Sequence, residues 1–470
     1  MGAGQLKHLC VALLAVSLFS ACQAKPVFLR PALEEDGELV VYLQPVPQQA
    51  DRLTFSLEAV SAEKEGGGSY PVTVSLADIA GGQVKRQRFL ASGVLPPGDY
   101  TGLSFKVRSA SLRGEEGSTA LLVPEGPVTI GFAFRVQKRK SSLLSVELDF
   151  NKAVADGYRF VPAFSIFVPD RPPIGLLGYA ANFGSNNITV FDKRARQAVG
   201  VIATGRGPRG IALDRRLRRG YVVLEEDDAI DVIDADAGEV TNRLRLHTGD
   251  SPREPALSPD GLLLFTANAG SDTVSVVDTA SLIEVERIPV GKGPHSVLVD
   301  GNGKRAYVFN TRSSTVSVID IASRSLVATI ATVAEPLRGQ FNRNGDRLFV
   351  IHGNSPYLTV IDPSSLSVRA RAYVGAGMSA VKVDTRTDLL YVGRGPDALE
   401  ILDPVALFPV DSLPAGGRIS SMTIDGDENA LYLVLPDRRL LAVVNLVSRE
   451  LAPAVDVGDG ADWVTMMGER

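Results

Sequence analysis

Residues 262–300 read LLLFTANAGSDTVSVVDTASLIEVERIPVGKGPHSVLVD. Four short apolar runs, 262–267, 273–278, 283–290 and 295–299, are separated by turn-forming Gly, Asp, Ser and Thr, which predicts a unit of four antiparallel strands. The second run ends in Asp278, and that ending recurs: Val190-Phe191-Asp192, Val232-Ile233-Asp234, Val276-Val277-Asp278, Val318-Ile319-Asp320, Val360-Ile361-Asp362, Ile401-Leu402-Asp403 and Val443-Val444-Asn445. Successive anchors stand 42, 44, 42, 42, 41 and 42 residues apart. One such unit cannot bury its faces alone, so seven of them from Gly178 onward predict a seven-bladed β-propeller. The run starts with the second strand of a blade and ends with an extra inner strand, residues 462–467. That strand is expected to complete the first blade and so remove the exposed edges of the ring.

At 470 residues the chain exceeds one ordinary core, and two domains are expected. Its net charge of −5 gives no reason to expect nucleic acid as a partner. Near the N-terminus, Lys7 precedes an apolar run at 9–19 and then Ser20-Ala21-Cys22. The run is too short to span a bilayer and fits a secretory leader. Small residues directly before a cysteine resemble the lipobox of bacterial lipoproteins, although Phe19 stands where that pattern prefers Leu. The resemblance implies a signal peptide over 1–21, cleavage before Cys22, and lipidation of the Cys22 thiol, which would fasten the chain to a membrane. Cleavage there removes Cys10 and leaves one cysteine, too few for an internal disulfide or a Cys-rich metal site. Gln23, in place of the Asp that retains such proteins at an inner membrane, implies an outer-membrane anchor with a periplasmic body.

Residues 22–37 read as a tether, with Pro26, Pro31 and the acidic Glu34-Glu35-Asp36. An all-β region follows over 38–170, with candidate strands at 39–43, 52–59, 70–76, 100–107, 128–136 and 143–149 that predict a β-sandwich. The stretches LPPGDYTGL (95–103), LVPEGPVTIG (122–131) and VELDF (146–150) resemble an uncharacterised, carbohydrate-binding-like sandwich family of bacterial lipoproteins. No catalytic motif comes with that resemblance. Arg171-Pro172-Pro173 reads as a short, stiff linker to the propeller at 178–470.

Within the propeller, Tyr179-Ala180-Ala181-Asn182, Tyr307-Val308-Phe309-Asn310, TVSVID (315–320) and Ser258-Pro259-Asp260-Gly261 resemble the repeats named for a Tyr-Val-Thr-Asn signature. The resemblance implies the fold; its members include envelope proteins of unknown role, binding proteins and occasional enzymes. The anchor aspartates are read as turn caps that accept backbone N–H bonds, not as metal ligands.

Loops entering the innermost strands should ring the mouth of the central channel. Aligned, they place Arg209, Arg253, His295, Arg338 and Arg418 from five blades where they can converge, with Glu254 and Asp462 offsetting part of the charge. Convergent guanidinium groups suit a carboxylate, phosphate or sulfated ligand; the plainer reading is solvated rim arginines paired to loop acids. Glu225-Glu226-Asp227-Asp228 is read as a solvated hairpin tip, with a hard cation as the alternative. Asp234-Ala235-Asp236-Ala237-Gly238 is read as a turn. Hydrolase, phosphate-loop and haem-attachment signatures are missing from the sequence, and His247, His295 and His352 sit in different repeats. His295 could serve as axial ligand to a tetrapyrrole whose carboxylates the arginines hold, but no cofactor and no metal is expected. These features lead to a non-enzymatic, lipid-anchored envelope protein that recognises a protein or glycan through the propeller face. The alternatives are a hydrolase such as a lactonase at the propeller mouth, and a carrier or sensor of an anionic small molecule or tetrapyrrole.

Overall fold

The computed structural model describes residues 33–467, and strands dominate them. The leader, Cys22 and most of the expected tether lie outside the described residues. Seven four-stranded sheets make up the propeller. Six are built from consecutive strands. The remaining one, blade 1, adds Ala461–Met466 to Leu177–Asn182, with Gly178 opposite Met466 and Ala180 opposite Val464. Both ends of the repeat region therefore share one blade, as the phase of the repeats predicts. Blades 2 to 7 begin with the inner strands Pro208–Asp214, Pro252–Leu257, Pro294–Val299, Pro336–Phe341, Met378–Val383 and Met422–Asp425.

The middle strands of each blade are apolar on both faces because blades stack face to face. In Thr315–Asp320 four successive residues are buried, while the outer strand Ser325–Ala331 is mostly exposed. The Asn of the repeat signature is buried and pairs within its blade: Asn310 Nδ2 donates to Thr315 Oγ1 at 3.1 Å and Ser317 Oγ at 3.0 Å. In blade 5 His352 takes that place, with Nε2 2.9 Å from Thr359 Oγ1. All seven anchor residues cap turns. Asp192 Oδ1 accepts from the Arg194 and Ala195 amides at 2.8 and 2.9 Å, Asn445 accepts likewise from Val447 and Ser448, and the other five do the same.

Ahead of the propeller a ten-stranded sheet runs, in hydrogen-bonded order, Phe164–Phe167, Ser141–Leu148, Gly37–Leu43, Arg88–Leu95, Ser69–Val74, Leu53–Lys64, Gly98–Arg113 and Ser118–Leu121. Asp78–Ala80 and Val128–Val136 pair off this path. The sheet curls over in a sandwich-like way, so that Phe164 at one end meets Phe105 near the other at 4.8 Å between ring centroids. One hydrophobic core fills the fold. The strand Arg88–Leu95 links the two halves and escapes sequence reading. Its centre, Ala91-Ser92-Gly93, has low strand propensity, and Gly93 is needed because a Cβ there would lie 2.8 Å from Val72.

This sheet docks on blades 1 and 7. Val40, Tyr42 and Leu143 pack with Ala198 and Val201. Asp456, on the outer strand of blade 7, accepts from Arg88 Nε at 3.1 Å and the Phe89 amide at 3.0 Å, and pairs with Arg86. Arg171 does more than space the two regions, donating to the carbonyls of Asp236 at 2.8 Å and Ala235 at 2.6 Å in a blade 2 turn.

Candidate functional site

Six inner strands carry a one-residue register shift near their start: between Pro208 and Ile211, Pro252 and Pro255, Pro294 and Ser296, Pro336 and Arg338, Met378 and Ala380, and Ala461 and Trp463. A bulge of this kind sets two residues against one and re-aims a side chain. Past the bulge the blades share one register. Pro255 faces Thr266, Gly339 faces Val350, Met422 faces Leu433 and Val464 faces Ala180. Two places before that pairing stand Arg209, Arg253, His295, Leu337, Ser379, Ser420 and Asp462, one from each blade, and all seven line a single cavity of about 240 Å³. Glu254 and Arg338, one residue further along their strands, complete it together with Arg418.

The structure thus brings all five sequence candidates to one mouth, with two adjustments. Leu337, not Arg338, is the register equivalent of Arg209 and Arg253, so Arg338 lies one step deeper. Arg418 precedes its strand and is exposed at the rim, while Ser420 takes the equivalent position. Leu337 and Ser420 escape a loop alignment because the glycine and proline landmarks drift by a residue in blades 5 and 7, whereas Ser379 falls in the same column as Arg209. Counting back from the paired second strand recovers Leu337 and Ser420.

Most of the charge is paired. Glu225 bridges two arginines, bonding Arg209 and accepting from Arg253 Nη2 at 3.0 Å. Arg209 also reaches Asp462 at 3.3 Å and lies over the Phe183 ring at 4.0 Å. The acidic quartet that includes Glu225 does not gather round one point: Asp227 pairs with Arg206 at 2.7 Å, and Asp228 accepts from the Gly249 and Ser251 amides. Arg338 spans the channel. Its Nε donates to Glu254 at 2.5 Å and its Nη1 to the carbonyls of Ser420 at 2.5 Å and Ser379 at 3.2 Å, while Trp463 lies 5.5 Å from its guanidinium. Among the described residues Arg418 has no ion-pair partner.

Burial, followed by the guanidinium groups of Arg338, Arg253 and Arg209, holds the His295 pKa well below its ordinary value, so the imidazole is neutral. Its Nδ1 stands 3.8 Å from Glu254 Oε1, beyond hydrogen-bond range. Burial raises the pKa of Glu254, against the lowering effect of Arg338. A neutral imidazole and a carboxylate of raised pKa among four guanidinium groups can move a proton, hold an anion and stabilise a developing oxyanion.

The sequence profile of the family described as lactonase, 7-bladed β-propeller matches residues 179–336. No curated protein matches the chain in sequence. Among solved structures it is similar to a provisionally assigned 6-phosphogluconolactonase from Bacteroides uniformis, at 17% identity and a TM-score of 0.54, covering 62% of this chain and 98% of that one. A protein of unknown function from Desulfotomaculum acetoxidans aligns at 14% identity and TM-score 0.54, over 62% and 98% of the two chains. The dihydro-heme d1 dehydrogenase NirN aligns at 14% and 0.51, over 64% and 77%. At these identities the structural likenesses establish the fold. The expectation of a non-enzymatic protein is corrected by the lactonase-family match over residues 179–336, which points to a possible hydrolase. That reading rested on missing local signatures, whereas the residues lining this cavity are drawn from all seven blades.

Proposed function

We propose that the propeller mouth hydrolyses a small lactone bearing an anionic group. The carrying observation is the convergence of Arg209, Arg253, Arg338 and Arg418 with His295 and Glu254 on one cavity. The lactonase-family match over 179–336 supports the reaction class. At about 240 Å³ the cavity is smaller than the roughly 300–1,000 Å³ typical of drug-sized ligand sites, which favours a compact metabolite over a tetrapyrrole.

In this reading the arginines at the rim hold the substrate's anionic group by paired hydrogen bonds. Water attacks the lactone carbonyl carbon as Glu254 takes its proton, the role that a burial-raised pKa suits. Arg253 stabilises the oxyanion of the tetrahedral intermediate. The ring C–O bond then breaks, its oxygen takes the proton back from Glu254, and the product is an open-chain hydroxy acid. His295, neutral beside the reacting centre, orients the water without adding a like charge to the arginines. The lipid anchor at Cys22 and the periplasmic address belong to the same proposal, with the site held at a membrane surface.

The test is turnover of a panel of γ- and δ-lactones with and without a carboxylate or phosphate. Saturable hydrolysis is expected, with kcat/KM about tenfold or more higher for the anionic members, as one charged contact supplies. Rates equal to the uncatalysed background across the panel would overturn the proposal.

A further inference from the structure

The charges around the mouth do not cancel, and the remainder sits on one residue. Arg209 is held by Glu225 and by Asp462 at 3.3 Å, Arg253 by Glu225 at 3.0 Å, and Arg338 by Glu254. These groups are largely withdrawn from water: the Glu254, Glu225 and Arg338 side chains are 7, 15 and 15% exposed. With Glu254 ionised, as its role of proton acceptor requires, three carboxylates face three guanidinium groups. His295 adds no charge, because burial and the arginines around it keep it neutral. Arg418 is the fourth guanidinium lining the cavity. It is exposed, and among the described residues it has neither an ion-pair nor a hydrogen-bond partner. An arginine already bonded to a carboxylate must loosen that bond to take a second anion, whereas an unpaired one offers its whole fork of donors. One uncompensated positive charge at the rim matches one negative charge on the occupant. A phosphate monoester carries close to two charges at neutral pH. Its second charge would meet Glu225, Glu254 and Asp462 with no cation of the cavity left to offset it, and like charges brought together in a partly buried site weaken binding.

We infer that Arg418 is the specificity-determining residue of the mouth and that it selects a monocarboxylate, held at the rim by its guanidinium fork, over a phosphate ester. That the occupant is a lactone rests on the hydrolase reading; the preference for a single carboxylate does not, and it is measurable as binding alone.

Arg438 supplies the control. Its side chain lies along Gly416 and Gly417, just before Arg418, yet it does not line the cavity. Calorimetric titration at about pH 8, where an alkyl phosphate is a dianion, uses pentanoate and pentyl phosphate as probes at fixed ionic strength. Pentanoate is expected to bind about fivefold more tightly than pentyl phosphate. Arg418→Ala should weaken pentanoate binding about tenfold, the loss of one charge-assisted contact. Arg418→Lys should recover part of that loss, and Arg438→Ala should change the affinity by less than about twofold. In turnover, Arg418→Ala should raise KM for a carboxylate-bearing lactone and leave a neutral lactone of the same ring unchanged. Pentyl phosphate binding as tightly as pentanoate overturns the inference, and so does a failure of pentanoate to bind. An Arg418→Ala loss no larger than that of Arg438→Ala means long-range attraction only and overturns it equally. Lactones left unhydrolysed, while Arg418→Ala still weakens pentanoate, would refute the hydrolase reading and uphold the selection of a monocarboxylate.

Discussion

Lys193, just after the third strand of blade 1, and Asp425, at the end of the inner strand of blade 7, form an ion pair of 3.0 Å in which both side chains are 2% exposed. The pair ties the last blade to the blade that joins the two chain ends, and Tyr432 Oη of blade 7 donates to the Lys193 carbonyl at 2.8 Å beside it. Lys193→Met keeps the length and apolar stem of the side chain but strands the Asp425 carboxylate in a dry seam. Breaking a buried pair from one side costs about 3–5 kcal/mol, because the remaining charge has lost its partner without regaining water. Asp425 Oδ1 also caps the Asp427 amide at 3.0 Å, and asparagine can keep that bond. The double variant Lys193→Met/Asp425→Asn removes both charges and should therefore recover about 2 kcal/mol or more of the single variant's loss. The assay is urea unfolding followed by circular dichroism and by Trp463 fluorescence, since Trp463 lies on the strand that closes blade 1. Two results would refute the reasoning: a Lys193→Met stability within about 0.5 kcal/mol of the parent, or a double variant no more stable than Lys193→Met.

Burial takes the His352 pKa down from 6.5 to about 4. Below pH 6.5 the unfolded chain then binds a proton that the native state refuses, so stability falls with pH at up to about 1.4 kcal/mol per unit until the folded pKa is reached. His352→Asn, the residue that other blades use there, should flatten that acid limb in unfolding curves measured from pH 4 to 7. Truncation after Gly460 removes the inner strand of blade 1 and exposes the edge of Leu177–Asn182; the product should aggregate or lose its cooperative unfolding, as size-exclusion chromatography and thermal melts would register. Cys22→Ser should move the protein from the membrane to the soluble fraction and abolish labelling by a fatty-acid analogue.

The propeller was legible because its information repeats. Seven apolar-Asp endings fix the period, and the same aspartates cap turns in the structure. The closing strand at 461–466 follows from the phase of that period alone. The leading sheet was less legible, since Arg88–Leu95 pairs on both sides and carries small residues where a half-buried strand would alternate. At the site, residue types were readable but depth was not. A one-residue bulge decides whether Arg338 stands at the rim or across the channel, and a single sequence carries no mark of it. Glu225 was visible only as part of an acidic run; its bridge between Arg209 and Arg253 depends on the hairpin of one blade leaning over the inner strands of its own blade and the next. The cavity as a whole was hard to see for a related reason, because its lining comes from seven blades and is spread over more than 250 residues of chain, from Arg209 to Asp462.

The central claim, that the mouth is a hydrolytic site in which Glu254 handles the proton, is tested most directly by Glu254→Gln. Glutamine can still accept from Arg338, so the cavity should keep its shape and the KM for an anionic lactone should change little. Without a carboxylate to take the proton from water, kcat should fall by roughly a hundredfold or more. A kcat within about twofold of the parent, at unchanged KM, would contradict the account and remove Glu254 from the chemistry.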